Sequence, residues 1–548
     1  MLRRIDKTEF FWENPQMLGF SNPSRATVMV VKEVIDNALD ACEDISVLPE
    51  IKLKLTADNS VFHLEIQDNG SGIPDPKQNV PRIFGELLYG SKFGTYKQTR
   101  GQQGIGVSAA FLWSQKTVGE PVRVITKYID DDQAHEFLLT TKGKGKLKIL
   151  SHNIINNSTP DHGTFVSIKF KGSWRSKSHL LHYLESTALS NPEANIEAII
   201  DSEHIIYNRT TDVLPRKPIE IKPHPHSADI GMIEELISKT KARKLKNFLY
   251  DTFSSFGDNA IKELNNKLSF SLDLNPRYLK KQQIRELVDV LKTIKFRAPS
   301  SNCLVPLGTD RIISTLMRYN PEFCHAVTRD MQIYDGHPFI VEVGIAYGGN
   351  IKGLKYFRLA NRVPLIYDEG NCALTEGVKI NYKNYRIKQR DDGFPDDNMI
   401  LLVHLCSTHV PYSTQAKTFV AHKDVIINEI RLALQQVLRK VSTYINKKTY
   451  HVTMKKEIDE RLNIACRLYN KVSEILEVSD EPAYISIAKI SKSLFYDDEN
   501  NVLINTLKEP VKVNDISLQP GEKLKLDYIP EGHFIITKSK VDKLIFGK

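Results

Sequence analysis

The chain contains no uninterrupted apolar run of about 18 residues, the least that spans a bilayer as a helix. Its first residues, Met1-Leu-Arg-Arg-Ile-Asp-Lys-Thr-Glu-Phe10, hold basic groups without the apolar stretch of a secretion signal. A cytoplasmic protein without a membrane span is therefore expected. Cysteine is scarce: the six thiols (Cys42, Cys303, Cys324, Cys372, Cys406 and Cys466) form no CxxC pair. That argues against zinc and for reduced, buried side chains. No GxxxxGK[ST] string occurs, which excludes a Walker-type phosphate loop. Internal repeats and low-complexity tracts are absent as well. Glycine and proline are both missing from residues 418 to 476, which leaves that stretch nothing to break a helix.

What is present is ordinary in bulk and specific in pattern. A hydrophobic content of 41% with 26% charged residues describes a soluble globular chain. At 548 residues it is too long for one core, so several domains are expected. The net charge of +9 permits contact with a polyanion without requiring one.

Three strings stand ahead of residue 110. In Glu33-Val-Ile-Asp-Asn37-Ala-Leu-Asp40, the polar residues at i, i+4 and i+7 share one helix face, while Val31, Val34, Ile35 and Ala38 suit a core. Glu33 can take a proton from water, and the Asn37 oxygen is a hard ligand for a small cation such as Mg2+. Asp68-Asn-Gly70-Ser-Gly72 follows an alternating strand. A carboxylate there can accept from an exocyclic amine, which fits adenine, and the glycines allow close backbone approach. Gly101-Gln102-Gln103-Gly104-Ile105-Gly106-Val107-Ser108 can wrap phosphate oxygens with backbone amides and open a helix whose N-terminus favours anions. Thr164, on a later strand, can support Asp68. An acidic stripe alone is usually a solvated face, and Asp-Asn-Gly-Ser-Gly alone is usually a turn. Their order and spacing together point to an ATP site.

Further along, Phe10, Phe11 and Trp12 lie on an N-terminal arm that can dock on a second subunit or on its own domain. Strands are expected at 51–55, 61–66, 122–128, 134–140 and 146–151, with Lys142-Gly-Lys-Gly-Lys146 as a hairpin turn; residues 75–108 read as a polar, glycine-rich lid. Pro215, Pro218, Pro223 and Pro225 mark a boundary before four helical segments between 229 and 300. Strands at 339–347, 356–361 and 399–405 then belong to an α/β unit. Ile430, Leu434, Val437, Val441 and Tyr444 follow helical spacing. Lys417 lies between the last of those strands and that helix, where it can reach a γ-phosphate and report its loss.

Several strings carry a family resemblance: Leu88-Tyr-Gly-Ser91-Lys92, Arg100 to Ala110, Lys222-Pro-His224-Pro-His226, Ala360-Asn361-Arg362 to Glu369, and His404-Leu-Cys-Ser-Thr. Over residues 8–445 the chain resembles the B-subunit family of type IIB DNA topoisomerases, topoisomerase VI, within the GHKL ATPase superfamily. The resemblance implies a multidomain α+β protein. Its parts would be an arm (1–25), a GHKL (Bergerat) ATPase α/β sandwich (26–220), a helix–two-turns–helix domain (221–306), an α/β transducer (307–422), a stalk helix (423–478) and a tail of open role (479–548). It implies Glu33 as general base, Asn37 as Mg2+ ligand and Asp68 as adenine partner. Ser91, Lys92 and Gly101 through Ser108 would form the ATP lid, and Lys417 would be the switch lysine. Ala416 departs from the glycine more usual before that lysine.

The resemblance further implies ATP and Mg2+ as cofactors, a homodimer of B chains through the N-terminal domain, and an A2B2 heterotetramer. The partner A subunit would hold the DNA-cleaving tyrosine. A DNA duplex would be the substrate, in the nucleoid of an archaeal-type cell. A MutL-like repair ATPase shares the first three motifs but leaves the 229–300 helices without a reason. A non-hydrolysing scaffold of a DNA-break complex is disfavoured by the intact Glu33, Asn37 and glycines.

Overall fold

Asn22 and Pro23 start the helix that carries the polar stripe. The Asn22 side chain accepts from the Arg25 amide at 2.9 Å, and proline at the first helical position gives up an amide that would have no partner. In this computed structural model of the chain, residues 6–90, 94–101, 104–155, 161–414 and 417–476 are described, with 494–497, 501–506, 510–513, 516–525 and 535–537 beyond them.

The first sheet is built from β1 (Glu50–Asp58), β2 (Val61–Gln67), β3 (Val122–Lys127), β4 (Ala134–Lys142), β5 (Lys146–Ile155), β6 (Gly163–Lys171), β7 (Asn195–Ile200) and β8 (Glu203–Tyr207). Its order is β5-β4-β3-β6-β2-β1-β7-β8, antiparallel throughout except for the parallel pair β1·β7. The helices of this region are α1 (Lys7–Glu13), α2 (Pro23–Ile45), α3 (Pro76–Gly85), α4 (Gly106–Thr117) and α5 (Lys177–Ser190). β2 alternates, turning Phe62, Leu64 and Ile66 inward against a core shared with Val31, Ile35 and Leu39 of α2 and Phe111 of α4. The result is a helix layer on a sheet, an α/β sandwich. Val31, Val34, Ile35 and Ala38 are buried, as the stripe pattern requires.

The N-terminal arm packs on its own domain in the single chain. Phe11 and Trp12 lie against the core, Lys116 donates to the Trp12 carbonyl at 2.5 Å, and Lys144 pairs with Glu13 at 2.7 Å. Lys144, in the basic turn between β4 and β5, thus meets the acidic arm. Residues 75–108 hold an unanticipated helix, α3, which forms with Pro81 inside it.

Between the sheets lie α6 (Ile230–Lys239), α7 (Leu245–Thr252), α8 (Asp258–Lys267) and α9 (Lys281–Thr293), around Ile233, Phe248, Leu249, Leu287 and Leu291. The second sheet follows α10 (Thr309–Leu316) and comprises β9 (Phe323–Thr328), β10 (Gln332–Tyr334), β11 (His337–Tyr347), β12 (Leu354–Ala360), β13 (Val363–Pro364) and β14 (Met399–Ser407). The order is β10-β11-β14-β12-β13, with β9 also on β11. β14 is buried at every position, which its unbroken apolar run anticipates for a central strand covered on both faces. After α11 (Ala373–Val378), α12 (Asp424–Leu476) runs for 53 residues, about 80 Å at 1.5 Å per residue. Ile430, Leu434, Val437 and Val441 are its buried face.

The chain divides into two compact units, residues 1–441 and 442–548. Beyond α12 the second unit holds the strands Leu494–Asp497, Val502–Ile504, Lys523–Lys525 and Ile535–Thr537 in one small sheet, and a separate hairpin of Val511–Val513 with Ile516–Leu518. The sequence pattern points only to the strands near 523 and 535. Among the described residues no helix is long and apolar enough to cross a membrane.

Candidate functional site

The polar stripe of α2 faces the glycine loop that opens α4. Glu33, Asn37 and Asp40 line one cavity with Gly101, Gly104, Ile105, Gly106, Val107, Ser108 and Lys417, the last arriving from about 380 residues further along the chain. Ser91, Lys92, Gln102, Gln103 and Ala416 lie outside the described residues.

Glu33 is oriented from two sides. Its Oε1 accepts from Lys32 Nζ at 2.9 Å, and its Oε2 sits so close to Gly106 that a β-carbon there would stand 2.0 Å away. Glycine at 106 is thus a steric requirement of the carboxylate. Asn37 donates its Nδ2 to the Glu33 carbonyl at 2.7 Å and is exposed, which leaves its amide oxygen as the free acceptor.

Lys32 is a site residue that the sequence motifs do not single out. It is 5% exposed and also bonds Asp36 at 2.9 Å, while Tyr183 donates to the other Asp36 oxygen at 3.2 Å. Burial alone would lower the Lys32 pKa, but Asp36 and Glu33 outweigh it and hold the ammonium above its ordinary range. The i, i+4 spacing of Lys32 and Asp36 is the signal that could have found it.

α4 starts at Gly106 without a side-chain cap, and Gly104 has a left-handed φ of 56°. Uncapped amides at a helix N-terminus after such a turn form a cradle for phosphate oxygens. Lys417, half-buried, donates its Nζ to the Arg100 carbonyl at 2.9 Å. Burial, followed by the nearby Lys32, lowers its pKa against the pull of Glu33, Asp36 and Asp40. The donor set therefore fits a triphosphate with a hard cation: uncapped amides, an enclosed ammonium, a carboxamide oxygen and a carboxylate.

Asp68 does not line that cavity; at the end of β2, it lies beside α2 further along that helix, near Ala41. The Gly70 α-carbon abuts Ala41, where a β-carbon would come within 2.5 Å, and the Ser71 amide donates to the Ala41 carbonyl at 3.1 Å. From Ala41 to Glu33 is eight residues, about 12 Å of helix. Base and terminal phosphate of one nucleotide can span such a separation. Asp68 is 8% exposed, and its Oδ1 accepts from the amides of Gly70 at 2.8 Å and Thr164 at 3.2 Å. Burial pushes its pKa up to about 7 despite these two bonds. Thr164 thus supports Asp68 through its backbone, while its hydroxyl meets Thr126 at 3.2 Å. At Gly72 (φ 69°) a β-carbon would strike the Lys127 carbonyl.

A second polar cluster lies in the second sheet. Glu342, His404 and Cys406 bring ligand-type atoms within 4.8 Å of one another. Their capacity is already used: Glu342 accepts from the amides of Leu307 and Gly308, from Thr328 and from His404, and the His404 Nε2 accepts from the Arg362 amide. The cluster is a hydrogen-bonded core.

Two family models match the chain. Residues 23–173 match the histidine kinase-, DNA gyrase B- and HSP90-like ATPase, and residues 299–457 match the transducer of the topoisomerase VI B subunit. The B subunit of type 2 DNA topoisomerase 6 from Archaeoglobus fulgidus is 39% identical over 485 residues, covering 87% of this chain and 80% of the relative. The protein of the same name from Sulfurisphaera tokodaii is 35% identical over 531 residues, 94% of this chain and 96% of the relative. Match and motif thus coincide on α2, the glycine loop and the strand that leads to Lys417, and the chain belongs to the family of type 2 DNA topoisomerase 6 B subunits.

Proposed function

We propose that the chain is the ATP-operated clamp of a type IIB DNA topoisomerase: it binds and hydrolyses ATP and drives strand passage through a duplex that an A-type subunit cuts. The carrying observation is the convergence of Glu33, Asn37, Gly101, the residues from Gly104 to Ser108 and Lys417 on one cavity. In this reading Asp68 accepts from the adenine amine, and the amides that open α4 hold phosphate oxygens. Glu33 takes the proton of the attacking water, and Lys32 keeps that carboxylate aimed. When bound, Mg2+ would be held by the Asn37 oxygen and would screen the phosphate charge. Lys417 engages the terminal phosphate and carries its presence to the second sheet.

Two copies would close around DNA through their arms, in an A2B2 assembly. The 41% exposure of Phe10, beside a packed Phe11 and Trp12, supports an arm with apolar surface left for a second copy. The chain has no cleaving role of its own. The test mixes it with an A-type subunit and negatively supercoiled plasmid. Relaxation is expected only with both proteins and ATP; relaxation by the mixture without ATP, or no ATP hydrolysis by this chain, would overturn the proposal.

A further inference from the structure

Two motifs that the site does not use, Ala360-Asn361-Arg362 and His404 to Thr408, meet at one buried point. Asn361 and Arg362 form the two-residue loop between β12 and β13, where Ala360 pairs with Val363. Both have left-handed φ values, 48° and 67°. Such a hairpin normally places glycine or asparagine at these positions. An arginine held there persists only where its surroundings over-determine it, and such residues cluster at switch regions.

The surroundings do so. The Arg362 amide donates to His404 Nε2 at 2.9 Å, tying the turn to β14. Its guanidinium, 4% exposed, reaches three elements of the first domain: the Ser190 carbonyl at the end of α5 at 3.0 Å, Glu43 near the end of α2 at 2.8 Å, and Glu193. Glu43 also receives Arg100, whose Nε lies 3.4 Å from Asp40. Asn361 donates to the Thr99 carbonyl at 3.1 Å. Gln98 exchanges side-chain hydrogen bonds with the Val305 backbone at 2.7 and 3.2 Å. The base of the lid, residues 98–100, is therefore bound to the β12–β13 turn through Thr99 and to the segment before α10 through Gln98, and its Arg100 carbonyl is the acceptor of Lys417.

The charges match at this junction. Arg100, Arg362 and Arg311 face Asp40, Glu43 and Glu193, with Arg311 at 3.7 Å from Glu193. Separating them would leave buried charges unpaired, which is strongly unfavourable. Resting on the ATPase reading above, we propose that Arg362 is a positioning residue and that the Asn361–Arg362 turn is the fulcrum of the transducer. The turn stays joined to the lid base while Lys417 and the strand leading to it move about it. The opposite device is a latch that must break before the second sheet can turn.

Arg362→Lys keeps the charge and loses the fork that serves three acceptors; Glu43→Gln keeps the shape and removes the charge, and stands in if the first variant does not fold. Each is assembled with the A-type subunit, and three quantities are read: affinity for a non-hydrolysable ATP analogue, analogue-dependent amide exchange over residues 399–414, and relaxation events per ATP. A fulcrum predicts affinity within about twofold of the unaltered chain, loss of the analogue-dependent protection at 399–414, and relaxation per ATP lowered about tenfold. Protection of wild-type size refutes it. Protection without any analogue establishes the latch instead. Faster exchange everywhere with a lower Tm, with and without analogue, reduces the junction to a stabilising contact. If the unaltered chain itself neither hydrolyses ATP nor supports relaxation, the ATPase reading fails and not the fulcrum alone.

Discussion

The ammonium of Lys417 donates to the carbonyl of Arg100 at 2.9 Å, joining two residues 317 positions apart. Arg100 precedes the glycine loop that opens α4, and Lys417 follows the central strand of the second sheet. A bond between a side chain of one and the backbone of the other lets the lysine change partner without disturbing the sequence-local structure of either. That suits the proposed role of Lys417, in which one acceptor is exchanged for another as phosphate comes and goes.

Lys417→Met should separate hydrolysis from work. ATP binding is expected to persist, while relaxation per ATP falls by about tenfold or more. Stability should hold near neutral pH. The folded pKa of Lys417 lies below its ordinary value, chiefly through burial. Below that folded pKa the lysine is charged in both states and its burial penalty is complete; the penalty fades as pH rises toward the unfolded value. Methionine removes it together with one hydrogen bond. Calorimetry at pH 7 beside a relaxation assay tests both halves, and undiminished relaxation per ATP would refute the switch role.

Glu33→Gln retains an oxygen for Lys32, which also keeps Asp36 at 2.9 Å. The fold and nucleotide affinity should survive. Turnover should drop by about 10²–10⁴, the usual worth of a positioned general base. A variant that still hydrolyses ATP within tenfold of the unaltered rate would remove Glu33 from that role.

Gly106→Ala should act in opposite directions on stability and activity. Alanine is the better helix former, though at the first position of α4 the gain is below the ~1 kcal/mol of a helix interior. Here the added carbon would stand 2.0 Å from Glu33 Oε2, so the carboxylate must swing away. Helix stability is expected to hold or rise while kcat collapses and KM changes little. Normal kcat in this variant would show that the carboxylate position does not matter.

The sequence made α2 legible because its polar and apolar residues keep helical spacing and Asn22-Pro23 starts it. α12 was legible from the absence of breakers and the spacing of Ile430, Leu434, Val437 and Val441. α5 was not. It buries Ser186, Thr187 and Ser190 beside Leu180, Tyr183 and Leu184, so its two faces differ little in polarity. β7 stayed hidden as a member of the first sheet because, besides the adjoining β8, its neighbour is β1, a parallel strand about 145 residues away. The candidate site divides in the same manner. Glu33, Asn37, Asp68 and the glycines announce themselves in short strings. The Glu43–Arg362 pair joins residues 319 apart, and Glu193–Arg362 residues 169 apart. No spacing rule reaches across such distances, and only the fold brings those charges together.

Asp68 gives the sharpest pH test. Its folded pKa is about 7, raised by burial from an ordinary 3.8. The ionised form, which in the proposed role accepts from the adenine amine, therefore fills in as pH rises through 7. ATP affinity of the unaltered chain should weaken about tenfold from pH 8 to pH 6. The stability sign is opposite. Between about pH 4 and 7 the folded state binds the proton more tightly than the unfolded chain, so stability falls as pH rises through that window. Above pH 7 the penalty is complete, of order 4 kcal/mol at most. Asp68→Asn keeps an oxygen for the Gly70 and Thr164 amides and removes the charge. It should melt higher than the unaltered chain at pH 8, match it more closely at pH 5, and bind ATP weakly with no pH dependence. Thermal denaturation at the two pH values and titration calorimetry with ATP provide the test. An Asp68→Asn protein that melts lower at pH 8 and binds ATP normally would deny Asp68 both its buried charge and its base contact.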